Sequence, residues 1–353
     1  MMLTRCARPT VRGVSTYTIL GFAGYAAATA LAIYLGLRWH LSVTERLIAC
    51  VAPPAAFVTV VAASARLRGA ETIVFYETAC AGVGTVAVLA MISGVQVARL
   101  LDVATLGIGV FLVFGRLGCL AVACCHGKPG RGVVYGPSHV ALGFWARWNG
   151  RALWPLQLAE AIGSAALVIA GLSVSGAPGR ATQIYAVGYA LLRFPLELAR
   201  GDATRPYALG VSEAQWFALA TVAACAAWRP EPVMLGALAV LVGSTCALMV
   251  TRRKRALWSP AHLHEVDRVM AAARDGITGQ TSLGVAVSRH ALDDGRIDWV
   301  LSAREPAWSV RAARRLATAM WPSFDLIEGR TAGVVHVIAP ADSPASDDRT
   351  LRC

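Results

Sequence analysis

Long apolar runs alternate with short polar breaks along most of the chain. Runs of about 17–25 apolar residues are long enough to cross a bilayer as helices. Here they begin near Val14, Glu45, Ile73, Thr105, Trp154, Gln183, Ser212 and Met234. The pattern predicts an all-α polytopic membrane protein with seven or eight transmembrane helices. Arg38 and His40 punctuate the first break, and Arg66 and Arg68 the second. The first run is long, rich in Tyr and Gly, and followed by no small-residue cleavage site, so it reads as a retained helix.

The apolar pattern stops at Thr251-Arg-Arg-Lys-Arg255. Beyond it, Leu283–Val287, Asp298–Ser302 and Gly333–Ile338 read as strands, and Trp308–Met320 as a helix with arginines on one face. The chain therefore divides into a basic leader (1–13, with Arg5, Arg8 and Arg12), a transmembrane domain (14–250), a small soluble α/β domain (251–340) and a tail (341–353). The tail is rich in Asp, Ser and Pro and is expected to be disordered. The longest internal connection runs from Cys124 to Arg151 and is dense in turn signals, such as Gly127-Lys-Pro-Gly-Arg-Gly132 and Tyr135-Gly-Pro-Ser-His139. Long connections between membrane helices are often functional, and this one is expected to form an ordered cap. The Arg252–Arg255 cluster favours a cytoplasmic C-terminus. Eight helices would then put the leader inside as well; seven would put it outside.

Composition narrows the class. With 56% hydrophobic and only 15% charged residues, the chain is no ordinary soluble domain. The net charge of +12 lies mainly at helix ends, in loops and in the tail. In a membrane protein that placement means orientation and contact with anionic head groups, not nucleic-acid binding. Most of the nine cysteines lie in apolar runs and read as small core residues; they form no spaced disulfide framework. Cys124-Cys125-His126 has no partner CxxC, so no metal site is expected. In an oxidising compartment a strained vicinal disulfide is the alternative to packing.

The candidate chemistry lies at the ends of the apolar runs. Charge at membrane depth costs about 2.5–3.5 kcal/mol per ionised group on insertion scales. The chain nevertheless places Arg193-Phe-Pro-Leu-Glu197-Leu-Ala-Arg200 at the end of one run, with Asp202 just beyond. A helix puts Arg193, Glu197 and Arg200 near one face. Arg116, set between Gly115 and Gly118, ends another run. Arginine presents five donors in a fork suited to phosphate oxygens. One reading is an anionic-lipid site in which Arg193 binds phosphate and Glu197 holds its fork; the other is a self-neutralising ion-pair ladder. Gln157 and Glu160 share a face of the helix that follows Pro155. Ser212 is a candidate N-cap, with Gln215 three residues on. His262, His264 and His290 fall in the soluble domain, where a structural or solvated role is the default.

Taken in order, Gly115-Arg-Leu-Gly118, Gly127, Pro155-x-Gln157-x-x-Glu160, Arg193-x-x-x-Glu197-x-x-Arg200 and Ser212-x-x-Gln215 resemble the prolipoprotein diacylglyceryl transferase family over about residues 14–250. The resemblance implies a multi-pass enzyme of the bacterial cell inner membrane. Such enzymes move a diacylglyceryl group from phosphatidylglycerol, or a similar anionic phospholipid, to the cysteine thiol of a lipoprotein precursor. It implies no cofactor and no metal. Carried over by position, Arg116 and Arg193 are the phosphate-side arginines, Glu197 is the partner of Arg193, and Tyr17 matches a first-helix tyrosine. Tyr17, Gly118, Gly127, Gln157, Glu160, Arg200 and Gln215 are the expected substrate-binding set. The chain departs from the family at Cys119 (usually Asn), Cys124 (usually Glu) and Trp154 (usually His), and it lacks the third-helix histidine. Glu77, His126 and His139 are the candidate replacements, with Glu77 and His126 as the expected base. Two functions follow: a divergent diacylglyceryl transferase, or a non-catalytic lipid-binding or regulatory protein of the same fold.

Overall fold

The computed structural model describes residues 7–68, 74–202, 207–252, 257, 259–273, 278–304, 308–321 and 323–340. Eight long helices form the apolar domain: α1 (Thr16–Arg38), α2 (Val43–Arg68), α3 (Phe75–Ile92), α4 (Val97–Ala121), α5 (Leu156–Ser173), α6 (Arg180–Leu196), α7 (Glu213–Trp228) and α8 (Pro232–Arg252). Each corresponds to one apolar run. Six of them are long and apolar enough to cross a membrane by themselves. The other two, α6 and α7, have 17 and 16 residues. The fourth helix starts well before Thr105, at Val97. Arg99 and Asp102 broke the apolar pattern there, yet Asp102 is fully buried. Its carboxylate accepts from the Gly179 and Thr182 amides at 2.7 and 2.9 Å, which satisfies the otherwise open donors at the start of α6.

The helices pack in chain order, α1 also lying along α4 and α4 along α5 and α6. Gly109 allows one close approach. A Cβ there would sit 2.5 Å from Tyr185 Cε2 and 2.7 Å from Val168 Cγ2. The Tyr185 hydroxyl is itself held 2.7 Å from Ser164 Oγ, so the ring cannot swing away freely. Gly109→Ala is expected to destabilise the bundle by about 1–3 kcal/mol, read as a lower unfolding midpoint in detergent.

Contacts fix the direction of five of the helices. Tyr17 at the start of α1 lies against Gly118 near the end of α4. Gln157 at the start of α5 donates to the Cys124 carbonyl at 2.6 Å. Gln215 at the start of α7 donates to the Phe194 carbonyl of α6 at 3.2 Å. The starts of α1, α5 and α7 and the ends of α4 and α6 thus gather at one end of the bundle. Eight helices bring the end of α8 back to that same end, so the leader and the soluble domain share it.

The 124–151 connection is ordered and lies at this end. It contains strand β1 (Pro129–Val134), paired with β2 (Ala152–Leu153), and single turns at Pro137–Val140 and Ala146–Trp148. Cys124 is disulfide-bonded, which corrects its reading as a packing residue, and Cys125 is a free thiol, so no vicinal disulfide forms.

The domain expected to be soluble is, among its described residues, a five-stranded antiparallel sheet with two helices. Its strands are β3 (Gly279–Gln280), β4 (Ala286–Ala291), β5 (Arg296–Ser302), β6 (Asp325–Glu328) and β7 (Val334–Pro340), in the order β6-β7-β5-β4-β3. The helices are α9 (Pro260–Ala272) and α10 (Val310–Met320). Ser259 and Ser309 cap them, accepting from the His262 and Ala312 amides. Ile297, Trp299 and Leu301 of β5 alternate inward with Val335, Val337 and Ala339 of β7. The strand expected at Leu283–Val287 begins three residues later. Residues 281–284 form a turn closed by Gly284 N to Thr281 O at 2.9 Å, with Gly284 at φ +76°. The tail assigned to 341–353 lies outside the described residues.

Cap and soluble domain form one core. Val133, Tyr135, Phe144, Trp145 and Trp148 of the cap are continuous with Leu263, Val266, Leu301, Leu316 and Val335 of the domain. Arg147 and Asp267 form a buried ion pair, with Arg147 Nε 2.6 Å from Asp267 Oδ1. Trp145 Nε1 donates to Asp267 Oδ2 at 2.7 Å. Arg147 also donates to the Met320 carbonyl, and Arg151 to that of Ala319.

Histidines make this unit sensitive to acid. His262 Nδ1 donates to Leu257 O at 2.7 Å, and its Nε2 lies 2.9 Å from Thr281 Oγ1, so both ring nitrogens are engaged. Burial pushes His126, His139 and His262 below the ordinary histidine range, and pushes His264 down to about 4. The unfolded chain therefore takes up more protons, and stability is lost as pH falls below 6.5, levelling off for His264 below about 4. Limited proteolysis of the soluble domain is expected to accelerate between pH 7 and about 5.

Candidate active site

The gathered helix ends bury three guanidinium groups and two carboxylates, with the half-buried Asp202 at the edge. Glu160, on the second turn of α5, is central. Arg116 Nε lies 3.0 Å from Glu160 Oε1, and Arg193 Nη1 lies 3.5 Å from Glu160 Oε2. Arg193 reaches one turn along its own helix to Glu197, Nη2 to Oε2 at 2.5 Å. Arg200 follows, 3.9 Å from Glu197 Oε2, and pairs in a fork with Asp202 at 2.5 and 3.0 Å. Arg116, Glu160, Arg193, Glu197 and Arg200 are each at most 5% exposed. Charges this deep persist only when paired.

The pairing is incomplete as hydrogen bonding. Among the described residues, Arg116 Nε, Arg193 Nη2, Arg200 Nη1 and Glu197 Oε2 are buried and make charge contacts without a well-aligned hydrogen bond. The guanidinium nitrogens among them keep donor capacity and positive charge available for a further oxyanion. The helix gives the cluster its depth: Pro195 ends the regular α6 ladder, and Glu197–Ala199 continues as a tighter turn that brings Arg200 under Glu197.

An aromatic wall completes the site. Tyr189 donates its hydroxyl to Glu160 Oε1 at 2.5 Å. Its ring lies parallel to Tyr185 and against Phe75 and Tyr76, and Tyr76 stacks on Phe217 at 5.1 Å. Sequence reasoning passed over these tyrosines. The signal was present: Tyr185, Tyr189 and Arg193 recur every four residues on α6 and form one stripe.

The expected residues take distinct positions. Tyr17 packs on Cys119, Val122, Cys124 and Cys125; a Cβ on Gly118 would meet its Cδ2 at 3.0 Å. Gly127 lies against Trp154, donates to the Trp154 carbonyl at 2.9 Å and bridges to Arg200. Gln157 is committed to the Cys124 carbonyl and Tyr135. Gln215 forms a reciprocal cap with Ser212 and tethers Phe194, the neighbour of Arg193. Both amides position the site's backbone. Glu77 is half-buried on the first turn of α3, beside Tyr76. The carboxylate that contacts both α4 and α6 arginines is Glu160.

His126 lies in the cap, its ring edge-on to Phe144 and Trp148. Its Nδ1 is 2.9 Å from the Gly127 carbonyl. A carbonyl only accepts, so Nδ1 carries the proton and Nε2 keeps a lone pair. His139 is different: Nε2 donates to Ala121 O at 3.2 Å and Nδ1 accepts from the Gly136 amide at 3.3 Å, which occupies both nitrogens. His264 stacks on Trp145 with ring centres 3.8 Å apart, over the cap.

The end of α4 brings sulfur into the site. Ala123 and Cys125 adopt left-handed backbone, φ +64° and +57°, on either side of Cys124. Such residues cost about 1–3 kcal/mol each and cluster at functional sites. The turn folds the sulfurs of Cys119, Cys124 and Cys125 to within 4.8 Å of one another. The disulfide on Cys124 removes one of the three as a metal ligand.

A dry cluster of arginines and carboxylates at one end of an apolar helical bundle suits the binding of a phosphodiester and the stabilisation of a departing phosphate. No curated protein matches the chain. The sequence profile of the prolipoprotein diacylglyceryl transferases matches residues 13–229, the span from α1 through α7, and leaves α8 and the soluble domain outside it. That match covers well over half of the chain and contains every arginine and carboxylate of the buried cluster, so the chain belongs to the prolipoprotein diacylglyceryl transferase family.

Proposed function

We propose that this protein transfers the diacylglyceryl group of phosphatidylglycerol to the cysteine thiol of a peptide acceptor, releasing glycerol phosphate. One observation carries the reading: Glu160 holds Arg116 and Arg193 toward each other from two different helices, with Arg200 joined through Glu197. Three guanidinium forks meet where a single phosphodiester could engage them. The lipid phosphate exchanges with carboxylate oxygens for the arginine N–H groups, and its negative charge is met as the carbon–oxygen bond breaks. The acceptor sulfur attacks that carbon and needs thiolate character, which the arginine field favours. His126 is the base in this reading, because its Nε2 lone pair is available while Nδ1 is fixed on Gly127. Tyr189 and Glu160 are positioning residues that orient the arginines. The multi-pass membrane location follows from the helices; the inner membrane is the bilayer this chemistry implies.

The test is a transfer assay. Purified protein in phosphatidylglycerol vesicles receives a reduced cysteine peptide, with Arg193→Ala protein as control. Arginine-dependent thioether product and glycerol phosphate are expected. Lipid retention without either product would move the protein to the binding class, a reading that Cys119 and Trp154, standing where the family has hydrogen-bonding residues, would then explain.

A further inference from the structure

Cys119 and Cys125 are free thiols at the edge of the arginine cluster, and transfer as read above does not use them. We propose that they form a nucleophile and resolver pair that reduces a disulfide-bonded cysteine peptide, presenting its thiol to the arginine cluster. The inference rests on the reading that the acceptor is a cysteine thiol.

The geometry assigns the roles. Cys125 is half-buried and Cys119 buried, so an incoming disulfide meets Cys125 first. The two left-handed residues at 123 and 125 fold the sulfurs together. Cys124, already disulfide-bonded, does not compete as a thiol. The Cys119 S–H hydrogen bond holds Cys125 well below the ordinary thiol range, against burial and with help from the Arg200 and Arg116 charges. A more exposed thiol backed by a shielded one within reach is the arrangement dithiol exchange requires.

The chemistry balances. Cys125 thiolate attacks the peptide sulfur, that S–S bond breaks, and the other sulfur leaves and takes up a proton. Cys119 loses its proton and attacks Cys125 Sγ; the mixed disulfide breaks and the peptide leaves as a thiol. The peptide disulfide is reduced to two thiols, and Cys119 and Cys125 are oxidised to a disulfide. A second turnover requires an external small thiol as reductant.

The experiment uses the full chain, as isolated, in vesicles, with a cysteine peptide carrying thionitrobenzoate as a mixed disulfide. Thionitrobenzoate is the better leaving group and should be released at about one equivalent per chain. The free peptide thiol should follow, and peptide mapping should find Cys119 joined to Cys125. Cys125→Ser should slow release at least about tenfold. Cys119→Ser should release the chromophore but retain the peptide covalently on Cys125. Unchanged release by Cys125→Ser overturns the proposal. So does peptide attached mainly to Cys50, Cys80, Cys225 or Cys246, or full peptide release from Cys119→Ser. Lipid transfer to the pre-reduced peptide is scored separately: transfer without exchange sinks this proposal alone, and exchange without transfer sinks the transferase reading while the dithiol activity stands.

Discussion

Arg193→Ala is expected to lower thioether formation by about 10²–10³-fold, the loss typical when one preorganised charge donor is removed. The side chain has two tasks. It joins Glu160 of α5 to Glu197 of its own chain segment, and it is only 2% exposed, so its field acts in a dry site. Glu160 would keep Arg116 and Tyr189, so the bundle retains part of its pairing. Arg193→Lys separates charge from shape. A lysine keeps the charge but cannot contact Glu160 and Glu197 with one planar fork. Its turnover should fall nearly as far as that of the alanine variant if bidentate geometry carries the effect. Recovery to near wild type would assign the role to charge alone. Measuring kcat and KM for both lipid and peptide distinguishes loss of binding from loss of transition-state stabilisation.

The largest effect on stability is expected at the join between cap and soluble domain. Asp267→Ala leaves Arg147 buried beside Trp145 without its carboxylate, and breaking a buried pair in this way costs about 3–5 kcal/mol. Arg147→Ala costs a similar amount, because Asp267 then keeps only the Trp145 donor of the bonds described above. The double variant should be less destabilised than the sum of the two. Thermal unfolding in detergent, followed by tryptophan fluorescence, measures all three, since Trp145, Trp148, Trp299 and Trp321 lie in or beside the shared core. Equal losses for single and double variants in simple addition would show that the pair is not coupled.

The bundle was legible because membrane helices are predominantly apolar over their length: the eight runs, read as seven or eight transmembrane helices, each hold a helix, and six of these are long and apolar enough to span by themselves. The start of α4 was hidden because Asp102 interrupts the apolar pattern in the sequence yet is satisfied inside the protein by amides at the start of α6. Arg116, Arg193 and Glu197 were legible because charge stands out against an apolar run. Glu160 was seen, but its central place was not, since its partners lie 44 and 33 residues away in sequence. Helix α9 left little trace: its inward face carries His262, Leu263, Val266, Asp267 and Met270, and two of these five are polar. The cap and the soluble domain read as separate pieces, because the contacts that unite them span 120 residues or more.

That shared core bears on how the protein is made. Its cap half is synthesised before α5, whereas Val335, Val337 and Ala339 come from the last described strand. Until that strand exists, the core that Trp145 and Trp148 share with it is incomplete. The shared core is therefore complete only once that strand has been made, and a ribosome stalled before it would leave in the bilayer a bundle whose cap tryptophans sit in an unfinished core, the kind of surface that membrane proteases and chaperones recognise.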